Sequence, residues 1–186
     1  MGPVAGEAVM GGRLRLFLVA AVAAVAVAAL VVSLGGSDTG PGGGGDASAG
    51  RGRVAPLALT TLEGRRLDLP RGRPGALFLT VSSCLSCIPS AQALGELKAR
   101  YGDRLDAVWI GIDPTDPPEQ VRARRESMGN PPYPFAIDRS GTLANLFAVR
   151  ALGTTIVYDA DGRIVSELIE PGKDQLESAF RKAGVS

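Results

Sequence analysis

The stretch that decides the fold is "ALFLTVSSCLSCIPSAQALGELKARYG", which runs from Ala76 to Gly102 and holds both cysteines of the chain, Cys84 and Cys87. Its first residues form a short, continuous apolar run, which is typical of a strand buried on both faces. After the cysteines, apolar residues recur at helical spacing until Gly102, a residue suited to a helix C-cap. The pattern predicts a buried strand, a junction that carries two cysteines, and a helix.

The segments on either side of this stretch extend the pattern. "DAVWIGID" (residues 106–113) predicts a second buried strand, and a strand, a helix and a strand in so few residues require a right-handed parallel crossover. Before the stretch, residues 54–69 alternate apolar and polar positions around Glu63 and Gly64, which predicts an edge hairpin. Four leucines of that hairpin are expected to share one face: Leu57, Leu59, Leu67 and Leu69.

The C-terminal part is predicted to continue as alternating helices and strands. The expected elements are a polar helix at 119–128, a short strand at 135–138, a helix at 142–147, a hairpin at 154–169 that turns at "DADG", and a last helix at 173–183. This order predicts an α/β domain that ends in a hairpin and a helix.

The N-terminal region contains a candidate membrane anchor. Residues 16–34, "LFLVAAVAAVAVAALVVSL", carry no charge, and a helix of this length nearly spans a hydrocarbon core of about 30 Å. Arg13 and Arg15 precede the run and the next basic residue is Arg51, so the positive-inside rule places the N-terminus in the cytoplasm. An uncleaved anchor is favoured over a signal peptide cleaved near residues 33–36, because the run exceeds a typical signal h-region.

The chain is therefore predicted to have four parts. Residues 1–15 form a cytoplasmic segment, 16–34 a single transmembrane helix, 35–52 a glycine-rich linker too poor in apolar residues to fold, and 53–186 the folded domain. The expected location is the cell membrane, with the C-terminal domain outside the cytoplasm, where disulfide chemistry is permitted.

The composition excludes several classes of function. The net charge is +1, and no basic block interleaved with aromatic residues is present, so we expect no nucleic-acid partner. The chain has no histidine, which removes the usual general base, the commonest metal ligand and an axial haem ligand. Covalent haem attachment is also excluded, because Ile88 stands where a Cys-X-X-Cys-His motif needs histidine.

The position of the two cysteines points to redox chemistry. Unpaired N–H groups and the partial positive charge of a helix N-terminus favour a thiolate, and a Cys-X-X-Cys arrangement lowers the pKa of its first thiol. Cys84 is therefore predicted to be the nucleophile. Cys87 is expected one helical turn later on the same face, where it can resolve a mixed disulfide formed by Cys84.

Two other roles for the cysteines are less favourable. A zinc site needs about four ligands, so two cysteines without histidine could hold zinc only when shared between two chains. A purely stabilising disulfide is disfavoured because a loop this short removes far less unfolded-state entropy than the ~3 kcal/mol of a 15-residue loop. We predict no metal site and no cofactor besides the redox-active Cys84/Cys87 pair.

Four stretches carry a resemblance to a known family: residues 55–69 ("APLALTTLEGRRLDL"), 77–90 ("LFLTVSSCLSCIPS"), 108–122 ("VWIGIDPTDPPEQVR") and 135–165 ("FAIDRSGTLANLFAVRALGTTIVYDADGRIV"). The domain resembles the thioredoxin superfamily, and within it the membrane-anchored thiol–disulfide oxidoreductases related to TlpA and ResA. The resemblance implies a thioredoxin-like α/β fold with a central mixed sheet flanked by helices. It also implies that electrons pass through two cysteines, which map onto Cys84 and Cys87.

The resemblance further implies which residues bind substrate. Leu152, Gly153 and Thr154 correspond to the loop that faces the cysteines, where the family has a cis-proline in place of Gly153. A non-proline cis bond costs about 2.5 to 4 kcal/mol, so we expect a trans bond or a rearranged loop. Phe78 stands where many relatives carry a buried polar or acidic residue, so proton removal from Cys87 must rely on water or another group.

The partners also follow from the resemblance. They are protein dithiol or disulfide substrates and a membrane or extracytoplasmic electron donor or acceptor, served by a monomer that acts in cytochrome c maturation or disulfide homeostasis. Leu85 and Ser86 differ from the family's usual dipeptide between the cysteines, and Ser83 replaces its tryptophan. Because that dipeptide tunes the reduction potential, the direction of electron flow stays open.

A second family with the same fold offers an alternative function. The SCO-type copper chaperones use a Cys-X-X-X-Cys pair and a distant histidine, and the chain has neither. Copper(I) bound by two soft thiolates remains an alternative, as does a redox-inactive binding module on the same fold.

Overall fold

Five strands form the central sheet of the computed structural model, which describes residues 52–186. In chain order they are β3 (Gly75–Thr80), β4 (Asp106–Gly111), β5 (Phe135–Ile137), β6 (Thr154–Tyr158) and β7 (Ile164–Ile169). Their order across the sheet is β5–β4–β3–β6–β7. β3 pairs in parallel with β4, and β4 with β5, whereas β6 lies antiparallel to both β3 and β7. The predicted mixed sheet is therefore confirmed.

The strand pair β1 (Leu57–Thr60) and β2 (Arg66–Leu69) forms the predicted hairpin as a separate two-stranded sheet. Leu57 faces Leu69 and Leu59 faces Leu67 across the pair, so the four leucines share one face as expected. A single bridge between Thr61 and Ala136 connects the hairpin to β5.

Four helices accompany the strands in the described part of the chain: α1 (Ile88–Tyr101), α2 (Pro118–Ser127), α3 (Leu143–Leu146) and α4 (Lys173–Lys182). α1 ends at Gly102, whose φ of 55° lies in the left-handed region that favours glycine, and a short 3-10 helix follows (Gly102–Arg104). α1 therefore provides the predicted connection between the parallel strands β3 and β4.

The core has two parts, one on each face of the sheet. Phe78 of β3 packs with residues of α1 and α4, whereas its neighbours Leu77 and Leu79 pack with the hairpin and α3. All three side chains are fully buried. This explains the continuous apolar run in the sequence, because β3 has no face that meets water.

The N-terminal parts lie outside the described residues. The predicted cytoplasmic segment (1–15), the anchor (16–34) and all but the last residue of the linker (35–52) belong to this region. Within residues 52–186, none of the helices combines the length and the apolar character needed to cross a membrane.

Candidate active site

Cys84 and Cys87 form a disulfide in the loop between β3 and α1, with their Cα atoms 5.5 Å apart. Cys84 is partly exposed, whereas Cys87 is buried with 3% of its surface accessible. An incoming substrate sulfur can therefore approach Cys84 and not Cys87. This difference is what attacking and resolving roles require.

The predicted placement of the cysteines on one helical face is wrong. α1 begins at Ile88, Cys87 is its N-cap residue, and Cys84 lies in the preceding turn. Two successive turns occupy this backbone, since the Cys84 N–H donates to the Val81 carbonyl and the Ile88 N–H to the Leu85 carbonyl. The turn, rather than a helical repeat, brings the sulfurs together, while the helix N-terminus still lies at Cys87.

Two polar side chains contact the buried sulfur. The Thr80 hydroxyl, at the end of β3, donates to Cys87 Sγ at 3.1 Å and is itself buried. Glu170 Oε1, beyond the end of β7, lies 3.8 Å from the same sulfur. Cys87 thus lies between a buried hydroxyl donor and a solvent-facing carboxylate.

The same carboxylate is connected to the outer cysteine. The Ser86 hydroxyl donates to Glu170 Oε1 at 2.6 Å, and the Ser86 oxygen lies 3.5 Å from Cys84 Sγ. Glu170 has a φ of 44°, a left-handed conformation that is uncommon for a residue with a side chain. The Glu170 side chain therefore lies beside the disulfide, next to Ser86 and Cys87.

Asp116 holds the loop that leads into the cysteines. Its carboxylate accepts a hydrogen bond of 2.8 Å from the Ser82 backbone N–H and one of 2.6 Å from the Ser82 hydroxyl. Both residues are buried, and Arg124 Nε donates to the Ser82 carbonyl at 2.8 Å. These contacts fix the backbone two residues before Cys84.

The loop predicted to bind substrate does lie next to the disulfide. Leu152 is 40% exposed, Gly153 is buried against Cys87, and Thr154 is buried with its hydroxyl donating to the Ala151 carbonyl. The structure therefore presents Leu152 at the surface and turns the Thr154 side chain inward. The substrate-binding role of the three residues stays a prediction.

Gly153 adopts the trans geometry expected from the sequence. The one cis peptide bond in residues 52–186 joins Leu69 to Pro70. Gly153 has a φ of 74°, and a Cβ there would lie 2.8 Å from Glu170 Cγ and 3.2 Å from Cys87 Sγ. Glycine suits this position because its φ lies in the left-handed region and because a Cβ would crowd both Glu170 and Cys87.

Glu170 was not found from the sequence, since it lies far from the cysteines along the chain. The register of the last hairpin could have located it. Thr154 pairs with Ile169, so the next residue along β7 must lie beside Gly153. The Glu170 N–H indeed donates to the Gly153 carbonyl at 3.0 Å.

The site also has the chemistry of a possible metal centre. The Cys84 and Cys87 sulfurs and a Glu170 carboxylate oxygen lie within 4.8 Å of one another. Within the described residues, no other cluster of three potential metal-binding side chains occurs. A disulfide offers no thiolate, so metal could bind only after reduction.

The fold and the site together define a class of protein. A mixed sheet in the order β5–β4–β3–β6–β7, with a Cys-X-X-Cys disulfide between a central strand and the following helix, is a thioredoxin-like fold with its redox-active pair.

The comparisons with known proteins agree with this class. The chain is 29% identical over 126 residues to the mercury resistance operon ORF3 of Streptomyces lividans, which covers 66% of this chain and 67% of that protein. It is 26% identical over 136 residues to the thiol-disulfide oxidoreductase ResA of Bacillus anthracis, which covers 70% and 77%. No protein-family model matches.

Solved structures share the fold. A putative thiol:disulfide interchange protein DsbE from Chlorobium tepidum has a TM-score of 0.62 at 19% identity, covering 70% of this chain and 94% of its own. StoA from Bacillus subtilis has a TM-score of 0.57 at 20% identity, covering 68% and 96%. The chain therefore has the thioredoxin-like fold and is similar to thiol–disulfide oxidoreductases of the ResA and TlpA type. This similarity, together with the Cys84–Cys87 pair, supports thiol–disulfide oxidoreductase activity.

Proposed function

We propose that the chain is an extracytoplasmic thiol–disulfide oxidoreductase, anchored in the cell membrane by residues 16–34, that exchanges its Cys84/Cys87 pair with protein substrates. The observation that carries this proposal is the disulfide itself, with a partly exposed Cys84 and a buried Cys87 at the start of α1. The membrane anchor rests on the uncharged run in the sequence.

The chemistry proceeds in two exchange steps. In the reduced protein, the Cys84 thiolate attacks one sulfur of a substrate disulfide, and the other substrate sulfur leaves as a thiolate with the bonding electron pair. Cys87 then attacks Cys84 Sγ, which breaks the mixed disulfide and releases the second substrate thiolate. The substrate gains two electrons, and the reverse sequence oxidises a substrate dithiol.

The surface around the disulfide suits a protein substrate. Three exposed apolar side chains adjoin it in sequence: Leu85 lies between the cysteines, Leu152 precedes Gly153, and Ile169 precedes Glu170. They are 68%, 40% and 59% exposed. Exposed apolar groups around a polar centre are typical of protein-binding surfaces.

The backbone of Leu152 offers a second recognition element. Neither its N–H nor its carbonyl has an intramolecular backbone partner among residues 52–186, whereas Gly153 uses both of its groups, bonding Leu79 and Glu170. An extended substrate segment could pair with Leu152 by main-chain hydrogen bonds while its cysteine reaches Cys84. The partners are accordingly protein dithiols or disulfides and a membrane or extracytoplasmic redox protein, in cytochrome c maturation or disulfide homeostasis, with the chain acting as a monomer.

A pair of single variants tests the exchange mechanism. Full-length Cys87→Ser should accumulate a mixed disulfide with a disulfide-containing protein, because Cys84 can attack and no thiol can resolve the product. Cys84→Ser should form no adduct and should lose substrate reduction. Non-reducing electrophoresis and mass measurement of the adduct provide the readout. Full activity of Cys84→Ser would contradict the mechanism.

The proposed location has its own test. A thiol reagent that cannot cross membranes should label Cys84 in intact cells after mild reduction, because the domain faces outward. Labelling that requires disruption of the cytoplasmic membrane would contradict the proposed orientation.

A second candidate function is soft-metal binding by the reduced site. It is favoured by the grouping of the Cys84, Cys87 and Glu170 ligand atoms within 4.8 Å. Thiolates select soft ions such as copper(I). Titration of the reduced chain with copper(I) should show one bound ion per chain, lost in Cys84→Ser, if this function holds. Binding without any disulfide exchange would replace the oxidoreductase proposal, and absence of binding would remove this candidate.

A further inference from the structure

The reduced form of the site requires a proton acceptor for Cys87. A buried thiol must lose its proton before it can attack the mixed disulfide, because the thiolate is the nucleophile. Phe78, on the face of β3 that packs against α1 and α4, cannot take a proton. Among residues 52–186, Thr80 and Glu170 are the two polar side chains within hydrogen-bonding range of Cys87 Sγ.

These two side chains have complementary chemistry. The buried Thr80 hydroxyl points its donor at the sulfur, 3.1 Å away, and a donor stabilises a thiolate. The Glu170 carboxylate is an acceptor 3.8 Å from the same sulfur, and it is exposed to solvent, with which it can exchange protons. Glu170 is therefore an acceptor within reach of the Cys87 proton that can also pass this proton to solvent.

Several contacts hold the carboxylate in this position. The Ser86 hydroxyl donates to Glu170 Oε1 at 2.6 Å, and the Glu170 N–H is bonded to the Gly153 carbonyl at 3.0 Å. The absence of a side chain at Gly153 leaves the space that Glu170 Cγ occupies, since a Cβ would lie 2.8 Å from it. Glu170 itself has a left-handed φ of 44° next to the reacting sulfurs, and uncommon backbone conformations of this kind cluster at functional sites.

From this geometry we infer that Glu170 is a catalytic general base for Cys87, an inference that rests on the oxidoreductase function proposed above. In the resolving step, the Cys87 thiol gives its proton to the Glu170 carboxylate and the resulting thiolate attacks Cys84 Sγ. The bond between Cys84 and the substrate sulfur breaks, and that sulfur leaves with the electron pair. Glu170 then returns the proton to the leaving thiolate or to solvent. The reverse reaction uses the protonated carboxyl as the acid.

The charged surroundings of Glu170 leave it free for this role. The Cys84 and Cys87 sulfurs, on the loop before α1, lie within 4.8 Å of its carboxylate oxygen. Lys173, at the start of α4, binds Glu96 Oε2 at 2.7 Å instead. No basic side chain forms a salt bridge with Glu170 within the described residues, so no partner competes for its carboxylate there.

Electrostatic repulsion between Glu170 and the Cys87 thiolate would have the opposite effect on the rate of the resolving step. A carboxylate beside a thiolate repels it and disfavours the charged sulfur. If repulsion were the main effect, removal of the charge would speed the resolving step at neutral pH. If Glu170 removes the proton, its loss must slow that step. The sign of the change therefore decides between the two roles.

Stopped-flow reaction of the reduced, full-length chain with the chromogenic disulfide dithiodipyridine separates the two steps. The first release of thiopyridone reports attack by Cys84, and the second reports resolution by Cys87. Glu170→Gln keeps an oxygen that can accept from Ser86 but lacks the base. Glu167→Gln, on β7, is the matched control, because it removes the same charge from an exposed glutamate three residues earlier in the chain.

The expected result is specific to the second phase. General-base assistance contributes roughly 10²-fold or more to a rate, so Glu170→Gln should slow resolution by about 100-fold at pH 7. The deficit should shrink as the pH rises, because the thiol then ionises without help. The first phase and the Glu167→Gln variant should match the unmodified protein.

Three outcomes would overturn the inference. They are an unchanged second phase at pH 7, a faster one, or a deficit that stays constant with pH, which would indicate a structural role. These differ from failure of the proposed function, in which the unmodified chain would show no first or second phase at all.

Discussion

Replacement of Gly153 by alanine tests how closely the backbone approaches the disulfide. Two costs are expected. A side chain at a φ of 74° costs about 1–2 kcal/mol because it enters the left-handed region. The added Cβ would also lie 2.8 Å from Glu170 Cγ and 3.2 Å from Cys87 Sγ, and overpacking of this kind costs typically ~1–3 kcal/mol.

Gly64 provides a control that isolates the second cost. Its φ is 75°, nearly that of Gly153, and a Cβ there would meet no atom within 4 Å. Gly64→Ala should therefore lower the free energy of unfolding only by the backbone cost, whereas Gly153→Ala should lower it by about 1–3 kcal/mol more. Urea unfolding of the oxidised chain with unchanged m-values measures both free energies.

The same substitution should also slow the resolving reaction, because Glu170 must move away from Cys87 to make room. Equal destabilisation in Gly64→Ala and Gly153→Ala, to within about 0.5 kcal/mol, would refute the argument that the loop requires glycine for space.

Two further predictions concern Asp116 and the buried tyrosines. Asp116→Asn should destabilise the chain by about 1.5–3 kcal/mol, because it weakens two charge-assisted hydrogen bonds to Ser82, and an unchanged urea midpoint would contradict this. Burial raises the pKa of Tyr133 and of Tyr158, so only the unfolded state ionises them near pH 10. The stability they confer should be complete below pH ~10 and be lost as the pH rises further, and this loss should be smaller in Tyr158→Phe.

Much of the fold could be predicted from the sequence because it depends on local patterns. The continuous apolar run of β3 follows from burial of both faces, with Phe78 on one side and Leu77 on the other. The end of α1 follows from Gly102, and the last hairpin from its "DADG" turn. Each signal lies within the element that it predicts.

The site was harder to predict because its contacts span distant parts of the chain. Glu170 reaches the cysteines through the register of β6 and β7, and Asp116 reaches Ser82 from the loop after β4. The placement of the two cysteines on one helical face was wrong for a different reason. Helical periodicity carries no information on the two turns that precede Ile88, and Cys84 and Cys87 lie in these turns rather than within α1.

The reduction potential of the Cys84/Cys87 pair tests the central claim most directly. The full-length chain is equilibrated with glutathione buffers that cover a series of redox potentials. The reaction is quenched with an alkylating reagent, and the mass of the protein is measured. A reversible two-electron transition is expected, with both cysteines alkylated in reducing buffers and neither in oxidising ones. A potential near or below about −270 mV would mark a reductant, and one near about −120 mV an oxidant. A pair that stays fully oxidised or fully reduced at every poise would contradict the claim that this disulfide exchanges electrons.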